Sequence, residues 1–111
     1  MNTPHDLSHQ FSDEQLRAII EDAVIYMCAC PAQVAEQIMH LRGLFAYQQR
    51  CLRGDGLSEA VHGAIAESTQ RAHDELERCL DQVLTMEGWN RDTMTMPAGL
   101  RKIRDEHIER I

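Results

Sequence analysis

Two of the four cysteines stand one residue apart in Met27-Cys28-Ala29-Cys30-Pro31. Thiolates held that close are ligands for a soft metal or partners in disulfide exchange. A tetrahedral zinc site needs four ligands, and Cys79 with His73 are the residues that could complete a set with Cys28 and Cys30. Helix lengths bring Cys79 back towards the Cys28–Cys30 end of a hairpin and leave Cys51 at the other. Against this stands the ordinary use of cysteine as a small buried hydrophobe. No Cys-x-x-Cys occurs, and Cys-x-Cys alone is a weak metal signal. The stretch therefore reads first as a corner between two helices, and no bound metal or cofactor is expected.

Other spacings weigh the same way. Glu59-Ala-Val-His62 places a carboxylate and an imidazole on one helix face, as di-iron bundles do, but such sites draw further acids from neighbouring helices. Glu59 also sits where an acid favours the positive end of a helix, with no metal needed. His62 and His73 are eleven residues apart, about 16 Å along a helix, so they cannot share an ion within one chain. Cys79 and His73, six residues apart, point away from one another and make a poor nucleophile pair. His40-Leu-Arg-Gly43 places its basic residue and glycine one position from where a phosphotransfer histidine needs them. With no glycine-rich phosphate loop and no serine elbow, an enzyme is not expected.

Helices must position these residues. Ser12 and Gln15 form a capping-box pair, with Phe11 placed to staple against Leu16. Leu16, Ile19, Ile20, Ala23, Val24 and Met27 then give one apolar face to a helix expected over 13–29. Pro31 suits the first turn of a second helix, carrying Val34, Ile38, Leu41, Phe45 and Leu52 and stopping before Gly54. Ser58 is the expected cap of a third, with Val61, Ile65, Ala72, Leu76, Leu80 and Val83 inward. Gly88 should close it, with Trp89 folded back on Leu84. Asp13–Arg17, Glu67–Arg71, Asp74–Arg78 and Glu106–Arg110 are spaced as supporting i,i+4 ion pairs. Residues 90–99 read as a loop with a short extended piece, and Leu100, Ile103, His107 and Ile111 line one side of a final helix. The fold class predicted is all-α: an antiparallel three-helix bundle over 11–89, preceded by a flexible N-terminus (1–10) and followed by a loop and C-terminal helical arm (90–111).

Composition narrows the function. A chain of 111 residues makes one domain, small enough to profit from dimerisation. Its net charge of −7 opposes binding to nucleic acid or an anionic membrane. No apolar run approaches the roughly 20 residues that span a bilayer, and the N-terminus lacks the pattern of a signal peptide. A cytoplasmic location with reduced thiols is expected. Acids outnumber bases seven to two over 57–87, whereas three bases face one acid over 31–53, so a basic helix lies beside an acidic one. The six methionines suit an adaptable binding surface. A small non-enzymatic protein acting through protein–protein binding is the leading expectation, as a regulator, adaptor or anti-activator and as a homodimer. The alternative is a metal-binding or thiol-redox protein centred on Cys28, Cys30 and Cys79.

Overall fold

The structure is a computed structural model that describes residues 7, 9–23, 30–51 and 56–97. It is all-helical, and no strand occurs among the described residues: α1 spans Asp13–Ala23, α2 Cys30–Cys51 and α3 Gly56–Glu87. Cys28, the end of the expected first helix (24–29) and the C-terminal arm from 98 onward lie outside the described residues.

Local chemistry sets the helix ends. At α1, Ser12 N–H donates to Gln15 Oε1 (2.9 Å) and Gln15 N–H donates to Ser12 Oγ (3.1 Å). Both halves of the capping box are thus made, and Phe11 and Leu16 are both buried beside it. Asp13 and Glu14 add negative charge to the first turn, where the helix dipole favours it. The other end of α3 is closed by Gly88 at φ +74°. Trp89 N–H donates to Leu84 O (3.0 Å) and Gly88 N–H to Thr85 O (3.1 Å), the two reversed bonds of a Schellman cap. α3 begins at Gly56, two residues before the expected start at Ser58.

α2 packs against both α1 and α3. The core joins Phe11, Leu16, Ile19 and Ala23 to Ala35 and Ile38 of α2 and to Leu80 and Leu84 of α3. The 90–97 loop enters it too: Asn90 and Thr95 pair through both backbone bonds, and Met94 and Met96 are buried. Asn90 Oδ1 accepts from Asp92 and Thr93 N–H, and Met96 N–H donates to Asp22 Oδ2 at 2.6 Å, tying the loop to α1.

One expectation is corrected here. The buried line of α3 is Ala66, Thr69, His73, Glu77, Leu80 and Leu84, while Val61 and Ile65, expected inward, are 50% and 37% exposed. The helix carries two lines at helical spacing, and the more polar one faces the core. Arg42 of α2 decides this, because it supplies the charge and hydrogen bonds that let His73 and Glu77 be buried. Charge pairing shifts accordingly. Glu67–Arg71 forms as expected at 3.2 Å, but Asp13 pairs with Arg42 and Arg78 pairs with Glu75.

Candidate functional site

Two features stand out, a closed polar cluster and an open apolar face. The cluster centres on Arg42, whose Nε donates to His73 Nε2 (3.0 Å) and whose Nη1 donates to Asp13 Oδ1 (2.6 Å). Its Nη2 donates to Phe11 O (2.6 Å) and to Glu77 Oε2 (3.0 Å). Glu77 Oε2 also accepts the backbone N–H groups of Gln10 (2.8 Å) and Phe11 (3.1 Å). One carboxylate and one guanidinium thereby lock the entry of α1 onto α2 and α3.

His73, Asp74 and Glu77 place one potential ligand atom each within 4.8 Å of one another, the composition of a divalent-metal site. The hydrogen bonds refuse that role. Arg42 can only donate, so His73 Nε2 must hold a lone pair and the ring proton sits on Nδ1. Nδ1 lies 3.2 Å from Asp74 Oδ1 and 3.8 Å from Glu77 Oε1, and its N–H points into that pair. To ligate through Nδ1 the ring would have to move its proton to Nε2, against the Arg42 N–H already there. The cluster is a structural clamp.

Among the described residues no group of three metal-ligating side chains includes a cysteine. Cys30 is exposed at the start of α2, while Cys51 and Cys79 are half-buried. His73, the fourth member of the expected ligand set, is engaged by Arg42. Glu59 is exposed, and His62 Nδ1 is 2.6 Å from Gln48 Oε1, a bond that satisfies a buried amide between α2 and α3.

The open face lies elsewhere on the same two helices. Arg42, Phe45 and Ala46 border a cleft with the start of α1. Leu41 and Leu44, about 100° or more further round α2, border a separate shallow groove with Ala64, Ile65, Ser68 and Ala72 of α3. Leu44 and Ile65 of this groove are exposed large hydrophobics, and so, elsewhere on the two helices, are Tyr47, Val61 and Met86, the last at 83%. The apolar spacing of the sequence assigns Val61, Ile65 and Ala72 to the interior and gives no role to Leu44 or Met86. The signal that could have separated the two sides is the seven-residue recurrence of Ile65, Ala72, Cys79 and Met86.

Comparison with protein-family models, curated proteins and solved structures finds no match to this chain.

Proposed function

We propose that this chain is a small non-enzymatic helical protein that works by binding another protein, as a regulator, adaptor or anti-activator in the cytoplasm, and that it does so as a homodimer. Alternating helix directions in a three-helix bundle suit the paired contacts Gln48–His62 and Arg42–Glu77, in which residue numbers fall along α3 as they rise along α2. The observation that carries the functional reading is the apolar face on α2 and α3 that no described element covers. A single domain seldom leaves a contiguous apolar stripe in water unless something docks there. The net charge supports a protein partner over nucleic acid or an anionic membrane. No described helix is long and apolar enough to cross a membrane.

The test is photo-crosslinking in the native host with a benzophenone side chain at Leu44, compared with one at Gln70, which is exposed away from the groove. Protein adducts concentrated at position 44 support the reading. Equal adduct yields at both positions, or none at 44, refute it.

A further inference from the structure

α2 repeats an apolar or uncharged residue at alternating steps of four and three from Cys30 through Val34, Leu41 and Leu44 to Cys51. α3 does so from Ile65 through Ala72, Leu76 and Cys79 to Met86, with Val61 four residues before Ile65. All twelve charged residues of the two helices lie off these lines. Steps of four and three are the spacing with which one long helix seats against another along its whole length. α2 seats one flank of its line on α3, and α1 packs on a different side of α2, at Arg42, Phe45 and Ala46. The flank carrying Leu41 and Leu44, with Ile65 and Ala72 of α3, has no described helix over it.

We propose, resting on the binding role argued above, that the occupant of this face is a second copy of the same chain. The two α2–α3 hairpins then stack into a four-helix core with α2 of each copy over α3 of the other. Size supports it. The 22 residues of α2 run about 33 Å, and two helices each about 10 Å across give a face near 660 Å², close to the roughly 800 Å² per partner of a stable interface. Shape supports it too, since the face needs two long helices bearing the same repeat, and a two-fold axis supplies them from one sequence. Charge sets the pairing. α3 carries seven acids and two bases, whereas α2 carries one acid and two bases. Stacking α3 on its own copy would oppose two acidic helices, while α2 over α3 sets a weakly basic helix against an acidic one.

The experiment uses the full-length protein. Light scattering over a concentration series should give about twice the 12.7 kDa chain mass, with alkylation of Cys79 slowing as dimer forms. Ile65→Glu, and separately Val61→Glu, should raise the dissociation constant about 100-fold or more, because a carboxylate enters an apolar interface without a partner. Both sites are exposed in the single chain, so helix content should hold. Gln70→Glu, on a different side of α3, should leave the dimer intact. A monomer throughout the series, or a dimer indifferent to both glutamate variants, overturns the second-copy assignment. The Leu44 crosslinks then separate the two ideas. An adduct to a different protein, or one within the chain to residues 98–111, removes the second copy while the face remains a docking surface in the first case. A monomer with no protein adduct removes both.

Discussion

Removing Glu77 should cost more stability than any exposed charge in the molecule. Its side chain is 2% exposed and that of Arg42 14%, so the pair is largely out of water. Breaking a buried pair by deleting one member costs about 3–5 kcal/mol, mostly through the charge left behind. Glu77→Ala also strips the acceptor from the N–H groups of Gln10 and Phe11, and a buried donor left unmade costs about 1–3 kcal/mol. These penalties overlap, because Arg42 keeps Asp13, Phe11 O and His73 as partners. A net loss of about 3–5 kcal/mol is expected, out of the about 5–15 kcal/mol typical of a domain. Urea unfolding followed by far-UV circular dichroism measures it. The exposed Glu67–Arg71 pair is the control, and Glu67→Ala should change stability by less than about 1 kcal/mol. A double-mutant cycle with Arg42→Ala should return a coupling of about 1.5–3 kcal/mol. Single-mutant losses below about 1 kcal/mol that simply add would refute the clamp.

Three further outcomes follow from the helix ends and the loop. Ser12→Ala removes the acceptor for Gln15 N–H and should cost about 1 kcal/mol in the same unfolding assay, with Ser12→Asp retaining most of it. Gly88→Ala should cost about 1–2 kcal/mol in thermal unfolding. Nothing lies within 4 Å of the added Cβ, so the loss comes only from the positive φ. Met96→Ala should cost about 2–5 kcal/mol despite its place in a loop, because the side chain is 4% exposed in the core. A loss under about 0.5 kcal/mol would show that the loop packs without contributing.

Much of this architecture was legible from local sequence. The capping box at Ser12 and Gln15, the staple of Phe11 on Leu16 and the glycine closure at Gly88 depend on residues within five positions of one another. Backbone geometry and side-chain reach therefore decide them with no reference to the rest of the chain. The all-helical class followed from repeated apolar spacing, which needs only the helical period. Excluding a phosphate loop or a serine elbow as sequence motifs was equally local.

The tertiary structure alone decided which side of α3 is buried. Val61 and Ile65 make the more apolar line, and burial by hydrophobicity would choose them. His73 and Glu77 face inward because Arg42, more than thirty positions away, arrives with donors for both. A buried carboxylate is tolerable only when such a partner is present, and no local pattern announces a partner on another helix. The same long-range placement sets Arg42 Nε on His73 Nε2, while Nδ1 faces its near neighbours Asp74 and Glu77. Asp22, meeting Met96 N–H across 74 positions, likewise turned an apparent surface loop into part of the core. α3 carries one line through Val61 and Ile65 and a more polar one through His73 and Glu77. Only the placement of Arg42 determined which one the molecule would leave facing outward.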